Sequence, residues 1–244
     1  MASRKVNFNW SILDRETIAQ TLWLHRFELS NQTMLISKFH STLSKIVRTY
    51  FPVKIAKGKD AEVEFGYCYV GGAYYSDFDR DKQRCIEVVF LFNPFEDKIT
   101  MSSRRYHRVC YLIADTILHE IIHMRQYRRR KFKEIPAYES KAELRKQRDE
   151  QTYLGNTDEI DAYGFNIACE LMGKFKNDQQ AVIKYLGQSQ KGLRRRYNGW
   201  RMYLKTFDYE HNHPIIRKLQ KKIIRYLPKA EVGKPYFNND WINR

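Results

Sequence analysis

Residues 110–124 have the sequence CYLIADTILHEIIHM, which contains the pattern His119-Glu120-Ile121-Ile122-His123. The stretch is apolar almost throughout, which favours a helix that is buried on most sides. Residues four apart on a helix are separated by only about 40° around its axis, so both imidazoles lie on one face. Two nitrogen ligands on one face can bind Zn²⁺, and the glutamate beside them can act as a general base. The pattern therefore predicts a long buried helix, the motif helix, that carries part of a zinc site.

The residues before the motif helix predict β-strands. Two β-rich runs, 62–70 and 86–92, are separated by Gly71-Gly72 and by the polar stretch 77–84. Glycine pairs and polar stretches between such runs are typical of turns and loops, so we expect strands joined by a turn and a longer loop.

Helices are expected on both sides of these strands, because capping residues precede segments with helical periodicity. The predicted spans are 14–29, 31–47 with Asn31 as cap, 104–131 after Ser102 or Ser103, 138–151 in part, 158–174 after Asn156 or Thr157, 178–188, 191–205 and 214–226. The predicted fold class is α+β, with a small antiparallel or mixed sheet packed on the motif helix and additional N- and C-terminal helices. One domain is expected over 1–244, made of a helical arm at 1–55, a core at 62–175 and a helical part at 176–244.

The composition limits the environment and the partners of the chain. Among 244 residues, 44 are Lys or Arg and 28 are Asp or Glu, and the net charge of +16 predicts attraction to nucleic acid or to an acidic protein. No apolar run is long enough to cross a membrane, and the N-terminus lacks the apolar segment of a secretory signal. The four cysteines are scattered, which favours free thiols in the cytoplasm over a Cys68–Cys85 disulfide.

A catalytic zinc site usually takes three protein ligands, and Glu159 is the favoured third ligand. It opens a predicted helix far enough beyond His123 for the chain to return beside the motif helix. Ala162 lies one turn further on nearly the same face, where a small side chain would allow two helices to approach closely. A carboxylate would also offset the charge of the metal in a buried pocket.

Other side chains remain candidates for the third ligand. Asp161 is shorter and lies about 200° around the helix from Glu159. Asp158 is better explained as a first-turn acid that the helix dipole favours. His211-Asn212-His213 offers a histidine ligand, although this loop could instead cap the last helix through its asparagine.

The two patterns together, His119-Glu120-x-x-His123 and Glu159-Ile160-Asp161-Ala162, resemble the gluzincin type of zinc metallopeptidase. The segment 159–171, EIDAYGFNIACEL, is similar to the corresponding helix of ImmA/IrrE-type peptidases, and the resemblance covers about 62–173. SprT-type proteins share the first pattern but take a third histidine. Tyr163 stands where some of these families have an aspartate. The small, basic composition, rich in Tyr and Asn, also resembles that of bacteriophage proteins, for which the compartment would be the host cytoplasm.

The resemblance implies a zincin-like fold and a zinc metalloendopeptidase with the ligands His119, His123 and Glu159. Zinc would lower the pKa of its water to about 7, and Glu120 would take the proton and pass it to the leaving amine. A polypeptide substrate would bind extended along a strand from 62–70 or 86–92. The candidate donors to the oxyanion are Tyr153, Tyr163, His211 and His213.

Two other functions fit the same sequence. A binding protein on this scaffold would have little or no proteolytic activity, and a closed site that included His211 or His213 would favour it. A nucleic-acid-associated protein would use basic residues interleaved with aromatic ones, and both activities could coexist. The segments with that composition are 125–133, 191–205 (with Arg194-Arg195-Arg196, Tyr197 and Trp200) and 217–225.

Overall fold

A computed structural model describes residues 14–189, 191 and 198–230. The chain has the predicted α+β class, and it divides into two compact units between Lys133 and Glu134. This boundary falls inside the predicted core at 62–175. The expectation of one zincin-like domain with a helical arm stays a prediction, and each unit is described by itself.

The first unit contains both helices and strands. In chain order they are α1 (Arg15–Trp23), α2 (Arg26–Leu29), β1 (Gln32–Leu35), α3 (Ile36–Tyr50), β2 (Lys54–Lys59), β3 (Cys68–Tyr74), α4 (Ser76–Arg80), β4 (Ile86–Phe92), β5 (Lys98–Met101) and α5 (Ser103–Arg129). The motif helix is α5, and it is also the longest helix of this unit.

The strand β4 is the centre of a three-stranded mixed sheet with the order β2-β4-β3. It runs parallel to β2 and antiparallel to β3, so both of its edges are paired. Every second residue of β4 is buried, from Ile86 to Phe92, which shows that one face of the sheet packs against the core. The strands β1 and β5 form a separate antiparallel pair.

The helices α3 and α5 pack on the same face of this sheet. Phe39 of α3 contacts the ring of Phe92 edge-on, with 6.3 Å between centroids. Gly72 of β3 pairs with Val88, which lies on the Phe92 face of β4, and Gly72 is in close contact with Thr116 of α5. Burial of these apolar side chains, at roughly 25 cal/mol per Å², is the main force that holds the layers together.

The strand boundaries correct two predictions. Gly71 and Gly72, which were expected to form a turn, lie inside β3 and pair with residues of β4. The strand begins only at Cys68, so most of the predicted run 62–70 precedes it. Strand β2 was not predicted, because its sequence KIAKGK has a single β-branched residue, Ile55, and contains a glycine.

Of the caps predicted in the first unit, the one at Ser102 is confirmed and the one at Asn31 is wrong. The side chains of Asp14 and Ser102 accept backbone N–H groups at the starts of α1 and α5. Asn31 does not cap a helix. It has a φ of 58°, and its side-chain oxygen accepts the backbone N–H of Ser103 at 3.0 Å. Asparagine tolerates this left-handed conformation better than most residues, and the next helix begins later, after β1. The predicted helix 14–29 is interrupted between α1 and α2.

The regular elements described in the second unit are all helices, and irregular stretches such as residues 134–144 lie outside them. Its elements are α6 (Arg145–Gly155), α7 (Thr157–Lys174), α8 (Gln179–Leu186), α9 (Gly199–Thr206), α10 (Pro214–Tyr226) and a short 3-10 helix (Leu227–Lys229). Asn156 caps α7, as predicted, by accepting the N–H of Asp158 at 2.9 Å. In the described part of the predicted helix 191–205, a helix begins at Gly199 after the cap Asn198. Residues 192–197, with the Arg194-Arg195-Arg196-Tyr197 stretch, lie outside the described part of the chain.

All four cysteines are free thiols, as predicted. Burial raises the pKa of the Cys85 thiol to about 11, so this group stays protonated at neutral pH. Across the described ranges, the structure contains no helix with the length and apolar character needed to span a bilayer.

Candidate metal centre

The histidines of α5 form a buried pair. The exposed fraction is 8% for His119 and 9% for His123, and their Nε2 atoms are 3.1 Å apart. Two nitrogen ligands of a tetrahedral Zn²⁺, each at about 2.0–2.1 Å from the metal, would be about 3.4 Å apart. The separation suits a hydrogen bond when one nitrogen carries a proton, and it is close to the separation that a shared ion needs.

The side chain of Gln126 fixes the protonation pattern of His123. Its Oε1 lies 2.9 Å from Nδ1 of His123, and both residues are buried. An amide oxygen can only accept a hydrogen bond, so Nδ1 carries the proton and Nε2 keeps its lone pair. This is the tautomer that a metal ligand requires, and such partners orient ligating histidines in metalloproteins. The prediction missed Gln126, although its position three residues after His123 places it on the same helix face.

The side chain of Glu120 is held between α5 and β3. A Cβ atom added at Gly72 would lie only 2.8 Å from Oε1 of Glu120 and 2.6 Å from Cγ2 of Thr116. The motif helix therefore approaches the strand so closely that only glycine fits at this position without displacing a neighbouring side chain. The glycine is thus explained by the packing of a helix on the strand and not by the predicted turn. Gly72 is itself exposed, so its backbone is accessible beside the carboxylate.

We expect Gly72→Ala to destabilise the protein and to displace Glu120. The added methyl group would overpack the contact with Thr116, which typically costs about 1–3 kcal/mol. The free energy of unfolding in urea measures this cost. Gly71→Ala is the matched control, because nothing lies within 4 Å of a Cβ added there. Equal effects of the two substitutions would contradict the close approach of α5 to β3.

An ion pair between the half-exposed Arg128 and the buried Asp79 links the end of α5 to the same strand. Asp79, which is buried, accepts a hydrogen bond from Nε of Arg128 at 2.9 Å and another from the hydroxyl of Tyr74 at 2.8 Å. Tyr74 is the last residue of β3, and Arg128 lies in the last turn of α5. The network therefore helps to keep the helix in register with the strand. It also gives a structural role to one arginine of the basic segment 125–133.

In the second unit, Glu159 lies in the first turn of α7 beside a group of tyrosines. Burial raises the pKa of Tyr153, and the neighbouring Tyr163 and Glu159 raise it further through charge and hydrogen bonding. The rings of Tyr163 and Tyr203 are in edge contact at 5.6 Å. Tyr153 therefore stays protonated at neutral pH, and its hydroxyl can donate a hydrogen bond to the carboxylate of Glu159.

Two of the alternative ligands have other roles within the second unit. Asp161 accepts hydrogen bonds from Nζ of Lys222 at 2.6 Å and from the hydroxyl of Tyr226 at 3.1 Å, and both partners belong to α10. His213 caps α10 by accepting a backbone N–H through Nδ1, a role that was expected of Asn212. These contacts explain both side chains without a metal.

The first unit thus brings together His119, His123 and Glu120, with Gln126 and Gly72 in support. Glu159 belongs to the second unit, and its place beside the histidines stays a prediction. No family model, no curated protein and no solved structure matches this chain. The resemblance to gluzincins therefore depends on the residues of the two patterns alone.

Proposed function

We propose that the chain is a zinc-dependent metallopeptidase with a zincin-like core, in which His119, His123 and Glu159 bind the metal. The observation that supports it best is the buried pair of Nε2 atoms 3.1 Å apart, with Glu120 between the two histidines in sequence. Two imidazoles and a carboxylate are a donor set that could hold a metal ion. Known catalytic zinc sites use the same set.

This donor set fits zinc better than the common alternatives. Calcium and magnesium prefer sites made entirely of oxygen ligands, whereas zinc readily takes imidazole nitrogens. Three protein ligands would leave one coordination position open, as catalysis requires. When bound, Zn²⁺ would polarise a carbonyl group and lower the pKa of a water molecule to about 7.

The residues of the chain would supply the remaining chemistry. Glu120 would take a proton from the attacking water and give it to the leaving amine. Its contact with Gly72 favours β3 as the strand that binds an extended substrate, because β3 lies at the edge of its sheet and Gly72 is exposed. The expectation that the run 86–92 could do this is wrong, since β4 is paired on both sides.

The hydrogen-bond donor to the oxyanion would come from the second unit in this proposal. Tyr153 is the favoured candidate, because its hydroxyl is in hydrogen-bond contact with the proposed ligand Glu159. His213 is a poorer candidate, since its Nδ1 is used to cap α10.

The predicted basic segments give less support to a nucleic-acid-associated function. In 125–133, Arg128 binds Asp79 and Arg130 donates to the carbonyl of Lys133. In 217–225, Lys222 binds Asp161. The other alternative is a non-catalytic binding protein on the same scaffold. Such a protein would bind zinc without hydrolysing peptides.

Metal content and hydrolysis of peptides test the proposal together. We expect about one zinc per purified chain by mass spectrometry of the metal. We also expect cleavage of a mixed-sequence, fluorescence-quenched peptide library, which should stop after chelation and return when zinc is added. Zinc without any cleavage would support the non-catalytic alternative, and a chain without zinc affinity would exclude both.

A further inference from the structure

The adjacent elements α3 and β2 carry six basic side chains and no acidic one. These are Lys38, Lys45 and Arg48 on α3, and Lys54, Lys57 and Lys59 on β2. Lys54 lies apart from the others, because it pairs with Glu87 on the opposite face of the sheet and contacts the ring of Phe78. Like charges on neighbouring elements repel one another, and most protein surfaces interleave both signs. An anion that bound here would relieve this repulsion.

One face of α3 lines an open groove with a volume of about 560 Å³. The lining residues are His40, Ser41, Ser44, Lys45, Arg48 and Thr49. They are spaced three or four apart, which places them on one side of the helix. All six are polar, so the groove offers hydroxyl groups and positive charge and is unsuited to an apolar ligand.

Strand β2 lies beside the groove, and the charge of its Lys57 acts on the groove residue His40. Arg48 donates from Nη2 to the carbonyl of Ile55 at 3.2 Å, which ties α3 to the strand. Lys57 pairs with Phe90, so its side chain lies on the helix-covered face of the sheet. Burial lowers the pKa of His40, and the nearby charges of Lys57 and Arg48 lower it further. His40 is therefore neutral at pH 7, and the positive charge at the groove comes from the lysines and the arginine.

The chemistry of the groove selects among classes of ligand. The lack of carboxylates disfavours a metal cation, since hard cations need oxygen anions. Arg48 contacts the carbonyl of Ile55, which obstructs the addition of a further strand to β2 at this point. Lysine, arginine and hydroxyl groups are the side chains that contact phosphate oxygens in nucleic-acid complexes. The open shape suits a chain that passes through better than a small molecule that must be enclosed.

We propose that the groove on α3, together with Lys57 of the neighbouring strand β2, binds the phosphodiester backbone of a nucleic acid through Lys45, Arg48 and Lys57. The net charge of +16 adds long-range attraction to the same ligand. This site differs from the basic segments that the sequence suggested, and it uses none of the residues of the metal centre. It is therefore independent of the peptidase proposal.

Fluorescence anisotropy with labelled DNA tests the site. The probes are a mixed-sequence single strand and a duplex of about 20 nucleotides, titrated at several salt concentrations between about 50 and 200 mM. We expect Lys45→Ala/Lys57→Ala to weaken binding at least about tenfold and to lower the slope of log K against log salt by about two, because each phosphate contact contributes about one to that slope. Both lysines are exposed, so the fold should be retained.

Lys82→Ala/Lys98→Ala is the matched control, since it removes the same charge from exposed positions outside the groove. It should leave the salt dependence of DNA binding close to that of the wild type. An equal loss of DNA affinity in the two double variants would overturn the proposal, because it would show that the net charge alone attracts DNA. Two further probes test other sources of phosphate groups. One is a vesicle that contains phosphatidylserine, and the other is free inorganic phosphate. Binding to either of these without binding to DNA would overturn the proposal too. His119→Ala/His123→Ala should bind DNA as the wild type does, whatever its effect on zinc.

Discussion

Glu120→Gln is expected to retain zinc and to lose hydrolysis. The amide has nearly the same size as the carboxylate, so it fits the space between α5 and Gly72, but it cannot accept a proton. General acid–base catalysis typically contributes a factor of about 10²–10⁴, and kcat should fall by this amount or below detection. The measurement is cleavage of the quenched peptide library by wild type and variant, with zinc content determined on the same preparations.

Glu62→Gln provides the control for this prediction. Glu62 is exposed and precedes strand β3, so the same substitution removes a carboxylate outside the metal centre. It should keep both zinc and activity. Full activity of Glu120→Gln would rule out Glu120 as the general base, even if zinc were bound.

The second large effect is expected for His119→Ala/His123→Ala, which should abolish stoichiometric zinc binding. In the wild type, zinc at a concentration one hundred times its Kd should stabilise the fold by about 2.7 kcal/mol, because it binds only the folded chain. The double variant should show no such stabilisation. Thermal unfolding with zinc and with a chelator measures the difference.

Matched variants locate the remaining ligand. Glu159→Ala should weaken zinc binding, whereas Asp161→Ala should retain it at the cost of the contacts with α10. His25→Ala/His213→Ala removes two histidines elsewhere, and it should retain zinc although it loses the cap of α10. Stoichiometric zinc in His119→Ala/His123→Ala would show that the metal binds at another site.

The features that could be predicted from the sequence depend on local information. The cap at Ser102 and the long apolar periodicity that follows determine where α5 lies, and the structure agrees with this prediction. The same holds for α7, where Asn156 is a strong cap. The two histidines follow from the helix alone, because residues four apart must share a face.

The features that were missed depend on contacts between distant residues. Gly72 resembled a turn residue, and only its contact with Thr116 shows that a helix passes close to it. The pair of Asp79 and Arg128 joins residues 49 apart in sequence. Asp161 remained a candidate ligand until its contact with Lys222 was known. Such contacts are fixed by packing, which periodicity and capping signals do not encode.

The glycine contact also indicates how relatives of this chain could be recognised when overall similarity is too low. Thr116 and Glu120 lie one helical turn apart, and the side chains of both occupy the space that a Cβ atom at position 72 would need. A homologue that kept Glu120 as the proposed general base and had a side chain at the position of Gly72 would need a smaller residue than threonine at the position of Thr116. Covariation of these two positions would therefore mark the family in an alignment, independently of the zinc-binding pattern.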